Sequence, residues 1–343
     1  MFPVIDMHCD TISVIHDAGL AGKELSLREN TRQIDLQRLK KGGYMCQNFA
    51  LFTYMGNWMD IPSMYQTAGV KEKYAAPIDY CLALSDLFDR EIAQNADIIR
   101  PALSAGDIER NFSEGFISAL KTVEEGAVYE GGTDNLKLLY DRGVRMTTLT
   151  WNFENELAYP NYINLETGET KPDTERHLKK AGRELVEACA DLGMIVDVSH
   201  LNDAGIYDIF DILGSKTPFV ASHSNARAVT GQARNLPDDL LRRFGECGGV
   251  VGINFCADFA NDRGDNLTKI SDLLSHIDHM VNTAGIEAVG LGTDFDGIEN
   301  EVETGGCEGM QILAEALLKA GYTEEDVEKI FYKNVLRVYR EVL

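Results

Sequence analysis

The sequence lacks several features that would place it in other classes of protein. Its seven cysteines are odd in number, scattered and free of any Cys-x-x-Cys pair, which argues against a disulfide framework and against a zinc–thiolate site. The N-terminus has no basic, apolar leader of the signal-peptide kind, and no apolar run approaches ~18 residues. We therefore expect a reduced, cytoplasmic protein without a membrane span.

Positive charge is also scarce. The 32 Lys and Arg residues are outnumbered by 55 Asp and Glu, which gives a formal net charge of −23. A nucleic-acid-binding protein needs a basic face to displace the counterions of phosphate groups, and a surface this negative is repelled by anionic membranes. We expect neither nucleic acid nor a membrane as a partner.

Short apolar runs alternate with longer amphipathic stretches along all 343 residues. Residues 194–199 are nearly continuous in β-branched side chains, which is typical of a parallel strand buried on both faces. Helices are predicted between such runs, for example over 77–96, 173–192 and 267–284. The predicted strands are 2–7, 44–52, 116–123, 144–150, 194–199, 218–222, 250–256 and 288–293.

Eight strands alternating with helices predict either a closed (β/α)8 TIM barrel or an open doubly wound sheet. No Gly-x-Gly-x-x-Gly turn follows an early strand, so the dinucleotide-binding form of the open sheet lacks its signature. Polar residues of interest follow strands spread over the whole chain, and a barrel brings all such ends to one rim. We therefore predict an α/β fold with one (β/α)8 barrel domain over residues 1–343, closed by a C-terminal helix at 323–343.

Histidines stand at the ends of three predicted strands. His8 and Asp10 follow the first strand and point to the same side, because alternate residues of a strand share a face. An imidazole and a carboxylate on one face form half of a divalent metal site, although a strand-end histidine bonded to a nearby acid would give the same pattern. His200 and His223 follow two later strands and strengthen the prediction of a metal site.

Two acids complete the candidate set. Glu124 and Asp294 each end an otherwise apolar strand, where burial of a carboxylate is costly unless a cation or hydrogen bonds compensate it. The pattern therefore predicts a metal site on one rim of the barrel. The remaining histidines have no such context and are expected to be surface or packing residues; they are His16, His177, His276 and His279.

Several short segments share their order and approximate spacing with a known family. They are His8-x-Asp10, Glu124 ahead of Gly126, Ser199-His200, Ser222-His223-Ser224, Arg234-Asn235, Asp294-Phe295-Asp296-Gly297, and residues 34–43 leading into Gln47. Together they resemble the membrane (renal) dipeptidase family, zinc metallopeptidases of the amidohydrolase-like superfamily. The resemblance spans nearly the whole chain and implies a metal-dependent hydrolase barrel, a two-zinc centre, hydrolysis of dipeptides and a homodimer.

The resemblance also implies metal ligands residue by residue. His8 and Asp10 would hold one zinc ion, and His200 and His223 the second. Glu124 would bridge both ions. Glu125 is the neighbouring candidate for the bridge, but the spacing to the segments downstream fits Glu124 better.

Further roles follow from the same resemblance. A hydroxide held between the zinc ions would be the nucleophile, because metal binding lowers the pKa of water toward ~7. Asp294 would accept its proton and pass it to the leaving amine. Arg234 would pair with the terminal carboxylate of the substrate, a contact suited to a planar fork of donors.

The chain departs from the family's pattern after the fourth predicted strand. The well-known animal enzymes have a histidine there that is thought to steady the substrate carbonyl, whereas this chain has Trp151 followed by Asn152. An indole carries no positive charge at any pH. Asn152, the second zinc ion or Trp151 itself could support the oxyanion, and Trp151 could instead form a wall of the substrate pocket or pack in the core.

Two other functions are compatible with the same residues. A two-metal barrel could act on another small amide, a lactam, a lactone or an N-acyl amino acid, because barrels change chemistry by changing loops. A non-catalytic metal-containing scaffold is the third hypothesis. The scaffold would be expected to lack a proton-transfer acid, and the presence of Asp294 favours an enzyme.

Overall fold

The computed structural model describes residues 1–63, 66–164, 167 and 169–343. The strands are β1 Val4–Asp6, β2 Tyr44–Phe52, β3 Ile99–Pro101, β4 Ile117–Glu124, β5 Val144–Thr148, β6 Tyr162–Ile163, β7 Thr170–Lys171, β8 Ile195–Asp197, β9 Val220–Ala221, β10 Val250–Ile253, β11 Leu267–Thr268, β12 Val289–Leu291 and β13 Glu301–Val302. The main sheet contains eight parallel strands in the order β2-β1-β12-β10-β9-β8-β5-β4, and pairing of β2 with β4 closes the ring. The predicted (β/α)8 barrel is confirmed.

Helices surround the barrel and follow most of its strands. The α-helices are α1 Thr11–Leu20, α2 Leu36–Gly42, α3 Val70–Lys73, α4 Pro77–Gln94, α5 Ala105–Ser113, α6 Asp134–Asp141, α7 Lys180–Leu192, α8 Asp203–Leu213, α9 Asp238–Cys247, α10 Ala257–Ala260, α11 Ile270–Ala284, α12 Met310–Ala320, α13 Glu324–Glu328 and α14 Asn334–Val342. A π-helical turn at Lys329–Lys333 joins the last two, so the predicted C-terminal helix is present. Within the described residues no helix has both the length and the apolar character needed to cross a membrane.

Every predicted barrel strand is present, although most are shorter than predicted. The helix predicted from residue 173 begins only at Lys180, because the Asp173 carboxylate accepts hydrogen bonds from the backbone of Glu175 and Arg176 and forms a turn instead. The helix predicted from residue 267 begins at Ile270, because residues 267–268 pair with β13. β3, which was not predicted, pairs with the first residues of β4.

The end of the barrel at which the strands begin is filled by apolar side chains. Alternate residues of a strand share a face, and inward residues such as Ile5, Leu120 and Ile195 form one buried cluster with Leu336 and Tyr339 of α14. The Tyr339 hydroxyl also accepts a 2.7 Å hydrogen bond from Asn48 Nδ2 of β2. The C-terminal helix therefore covers this end, which leaves the opposite rim for polar groups.

Candidate metal centre and substrate cavity

Polar side chains converge on the rim where the barrel strands end. In a closed parallel barrel these ends meet, so residues far apart in sequence share one site. β4 shows the change along a single strand, since Leu120 lies in the apolar cluster and Glu124 at the rim is buried among histidines. The rim residues brought together are His8, Asp10, Glu124, His200, His223 and Asp294.

Glu124 lies at the centre of this group and uses its two oxygens on different sides. Oε2 is 3.2 Å from His8 Nε2. Oε1 is 3.1 Å from His200 Nε2 and 3.7 Å from His223 Nε2. A carboxylate placed in this way can serve two neighbouring cation sites at once. The adjacent Glu125 takes no part, because its carboxylate bonds to the backbone and to Asn155.

His8 anchors the first side of the group. Its Nε2 is 3.4 Å from Asp10 Oδ2 and 3.9 Å from Asp294 Oδ1. His8 can form one metal-holding group with Asp10 and Asp294, and another with Glu124 and His223. Among the described residues, His8 Nε2 and Asp10 Oδ1 are buried and have no hydrogen-bond partner. A divalent cation would satisfy both atoms, so this donor set fits a metal.

His200 and His223 anchor the second side, and their hydrogen bonds fix which nitrogen is free. His223 Nδ1 lies 2.7 Å from Ser222 Oγ, whose own proton goes to Asp197 Oδ2 at 2.5 Å, so Nδ1 must be the donor. His200 Nδ1 lies 3.0 Å from Asn152 Oδ1, which accepts. Both Nε2 atoms are then bare acceptors, yet they face each other at 3.0 Å. A cation between them turns this repulsion into attraction, so this side also fits a metal.

Burial raises the pKa values of two acids of the group, Glu124 and Asp294. Burial raises the pKa of Glu124 to about 7, against the attraction of His8. Burial also raises the pKa of Asp294 to about 6, again opposed by His8. The pKa values of His200 and His223 are lowered well below the ordinary value by burial and then by nearby positive groups. Neutral imidazoles are the form that binds metals.

A cavity of about 790 Å³ opens onto this centre. Trp151 and Asn152 line it beside His200, and the Trp151 ring lies 5.2 Å from that of Phe52, which also lines it. Arg234 is not among the residues that line the cavity. Its guanidinium lies 5.8 Å from the ring of Phe259, and Phe259 does line the cavity.

Arg234 is held from behind by two hydrogen bonds. Nη1 donates to Ser224 Oγ at 2.8 Å and Nη2 donates to the His223 carbonyl at 3.0 Å. Its Nε is buried and has no hydrogen-bond partner in the part of the chain that the structure describes. A fixed guanidinium with an unused donor is suited to an anionic group of a ligand.

Comparison with known proteins identifies the kind of protein to which this rim belongs. The model of the membrane dipeptidase family, peptidase family M19, matches residues 1–343. The chain belongs to this family. It is therefore a metal-dependent dipeptidase, and the expectations that followed from the resemblance for fold and activity are confirmed.

Individual relatives agree with the family assignment. A Klebsiella pneumoniae protein in the pqqA 5′ region is 35% identical over 268 residues, 78% of this chain and 97% of that one. Dipeptidase aclJ of Aspergillus oryzae is 31% identical over 320 residues, 90% of this chain and 70% of that one. The crystal structure of a Rhodobacter sphaeroides metallopeptidase, bound to a phosphinate mimic of L-Ala-D-Ala, has a TM-score of 0.87 at 26% identity and covers 100% of this chain and 99% of that one.

The dipeptidase rim also contains strained backbone. His200 has a φ of 68° and Asp294 a φ of 63°, in the left-handed region that side chains other than glycine rarely adopt. Such conformations cost on the order of 1–3 kcal/mol each and persist where the surroundings fix them. Both strained residues belong to the group around Glu124. The strained backbone therefore lowers local stability but orients their side chains toward this group.

Several residues of the dipeptidase rim were not found from the sequence. Asp197 accepts from the backbone of Ser199 and Ser222 as well as from the Ser222 hydroxyl. Asp6 accepts from the backbone and hydroxyl of Thr293. Both acids are buried in apolar strands, which is the signal that singled out Glu124 and could have found them too. The contact of Asn254 Nδ2 with Asp294 Oδ2, 2.9 Å, has no such signal.

Proposed function

We propose that this dipeptidase holds two zinc ions and cuts the peptide bond of a dipeptide whose free carboxylate it binds. His8 and Asp10 would hold one ion, and His200 and His223 the other. The observation that carries the proposal is the position of Glu124, whose two oxygens face these two groups separately. Imidazole and carboxylate donors suit zinc.

When bound, the metal polarises the scissile carbonyl and lowers the pKa of water, so that hydroxide is available near neutral pH. Asp294 is placed to move protons. Asn254 donates to its Oδ2, and its Oδ1 faces His8 at 3.9 Å. A carboxylate in this position can accept a proton from the attacking water and return it to the leaving amine.

Asn152 is the best placed side chain for the substrate carbonyl. Its Oδ1 accepts from His200 Nδ1 at 3.0 Å, and in the described part of the chain no hydrogen bond from its Nδ2 is found. Because Asn152 lines the cavity, this nitrogen can donate to the carbonyl oxygen as charge develops there. Trp151 has no positive charge to offer and instead forms an apolar wall with Phe52.

Arg234 would bind the substrate carboxylate. Its two backward hydrogen bonds fix the guanidinium, and its remaining N–H donors match an anion at the end of a short substrate. Support comes from the Rhodobacter sphaeroides metallopeptidase, whose ligand is a phosphinate mimic of the dipeptide L-Ala-D-Ala.

The test combines metal analysis with a substrate panel on one preparation. We expect close to two zinc ions per chain, release of free amino acids from dipeptides such as Ala-Ala, and loss of turnover on chelation. N-acyl amino acids, lactams and lactones serve as comparison substrates. Faster turnover of a lactam or lactone than of every dipeptide in zinc-loaded enzyme would contradict the proposed substrate.

A further inference from the structure

Glu125 differs from the acids that surround the metal centre. It is fully buried, with 0% of its surface exposed, and has a φ of 92° in the left-handed region. No Lys, Arg or His forms an ion pair with it within the described residues. A buried carboxylate without a cation and a strained backbone are both unfavourable, so their coincidence at one residue needs a compensating contact.

The compensating contacts are three N–H donors. Glu125 Oε1 accepts from Ala127 N at 2.8 Å and from Asn155 Nδ2 at 2.6 Å. Oε2 accepts from Trp151 N at 3.1 Å. Two of these three donors belong to the segment that follows β5, so the carboxylate joins the end of β4 to that segment.

The segment of residues 149–158, here called the β5 loop, is organised around Asn155. Asn155 Nδ2 donates to Leu149 O at 2.8 Å, and its Oδ1 accepts from Leu157 N at 2.8 Å and from Ala158 N at 3.1 Å. Gly126, the neighbour of Glu125, packs closely on this loop, since a Cβ there would lie 2.3 Å from Leu149 O. The loop therefore has internal order but is fastened to the barrel at Glu125.

The β5 loop carries two groups that face the cavity. The Trp151 ring lies 5.2 Å from Phe52 and 5.8 Å from His200. The Asn152 side chain bonds to His200 Nδ1 at 3.0 Å. A shift of the loop would therefore move the apolar wall and loosen the hydrogen bond that orients His200.

We propose that Glu125 is a positioning residue: it fixes the β5 loop and thereby sets the place of Trp151 and Asn152 beside the substrate. The effect on catalysis rests on the proposed function. The fastening of the loop does not, because it requires neither metal nor substrate, and it can be measured separately.

Fluorescence measures the loop directly. The chain has two tryptophans, so a Trp58→Phe background leaves Trp151 as the sole reporter. In that background Glu125→Gln replaces one carboxylate oxygen with an amide N–H₂ group. This group faces N–H donors whose hydrogen bonds the carboxylate accepted, so it cannot accept them. We expect acrylamide to quench metal-free Glu125→Gln at least ~2-fold more strongly than the parent, because local opening exposes the indole.

Turnover gives the second readout. With zinc restored, we expect the kcat/KM of Glu125→Gln for dipeptides to fall ~10–100-fold, the scale of a misplaced binding group. Asn155→Ala breaks the same contact from the loop side. The loss in the double variant should be smaller than the sum of the two single losses, because the Glu125–Asn155 hydrogen bond is shared while each residue also has contacts of its own.

Glu130→Gly is the matched control for backbone strain. Glu130 also has a positive φ, 52°, but its side chain is exposed. This change should leave quenching and turnover near the parent values. Quenching of Glu125→Gln and Asn155→Ala equal to that of the parent would overturn the positioning role. Increased quenching in a protein whose parent fails to hydrolyse dipeptides would leave the role intact and refute the proposed function instead.

Discussion

The two ends of the barrel are built from the same strands but differ in the side chains that they bury. At the end where the strands begin, side chains such as Val250 and Met146 form an apolar cluster with Val335 of α14. At the other end the same strands lead into histidines and acids. Some of their buried polar atoms, His8 Nε2 among them, have no hydrogen-bond partner within the described residues. The first end gains stability from close packing. The second end holds polar groups in energetically unfavourable positions, because the chemistry needs them there.

This difference indicates how stability and activity are divided in the molecule. Changes at the packed end should lower the free energy of unfolding and leave the chemistry of folded molecules intact. Substitutions at the open rim should lower the turnover of folded molecules and change the free energy of unfolding much less. The following predictions test this division and run from the largest expected effect on turnover to the smallest.

Removal of metal should have the largest effect. We expect a chelator to abolish dipeptide hydrolysis, since no described side chain replaces the polarising cation, and zinc to restore it. Zinc present at ~100 times its Kd should stabilise the fold by about 2.7 kcal/mol, because only the folded chain presents the assembled site. Activity assays and thermal melts with and without zinc measure both effects. Full activity in verified metal-free protein would contradict the prediction.

Asp294→Asn should have the next largest effect. The amide keeps the shape of the side chain but cannot accept the proton, so kcat should fall by at least ~100-fold. Zinc content, measured on the same sample, should stay near that of the parent. Equal kcat values for the two proteins would remove Asp294 from the proton transfer.

Asp197→Asn should reduce metal binding. The new N–H₂ would face Ser222 Oγ, reverse the direction of its hydrogen bond and place the proton of His223 on Nε2, which cannot then bind zinc. We expect zinc affinity to fall ~10–100-fold, the usual cost of disturbing the partner of a metal-binding histidine. Competition with a chromophoric chelator measures the affinity. Ser222→Ala is the control: it removes the link without reversing it and should cost less.

Leu336→Ala should have the smallest effect on turnover. Leu336 is 3% exposed in the packed cluster at the closed end, and loss of such a side chain costs about 2–5 kcal/mol of stability. The kcat/KM per folded molecule should stay within about 2-fold of the parent, because Leu336 lies at the opposite end of the barrel from the metal centre and distant sites act independently. Denaturant unfolding and assays at low temperature would show whether stability and activity separate.

Much of this architecture could be predicted from the sequence because it depends on repeated local patterns. Continuous β-branched runs predicted the barrel strands, and a histidine or acid directly after a run predicted the rim. Glu124 could be preferred over Glu125 only through spacing shared with a family. Its position between the two histidine groups agrees with that choice, while the bridging role itself stays a prediction.

The features that were missed depend on contacts between distant segments. β3 was missed because Ile99–Pro101 is only three residues long and is recruited by β4. Neither the helix starts nor the link from Glu125 to Asn155 has a periodic signal. The position of Trp151 also depends on that link, so its place in the cavity wall could not be separated from a core position by sequence alone.

The apolar cluster under the barrel has a consequence for biosynthesis. Val335 and Tyr339 follow all eight barrel strands in the chain, yet they belong to the same buried cluster as Ile5 of the first strand. A growing chain that ends before residue 335 can pair its strands, but the apolar side chains at this end of the barrel stay exposed to solvent. Ribosome-bound chains of this length should therefore bind hydrophobic-surface chaperones, and release of the last helix should end that association.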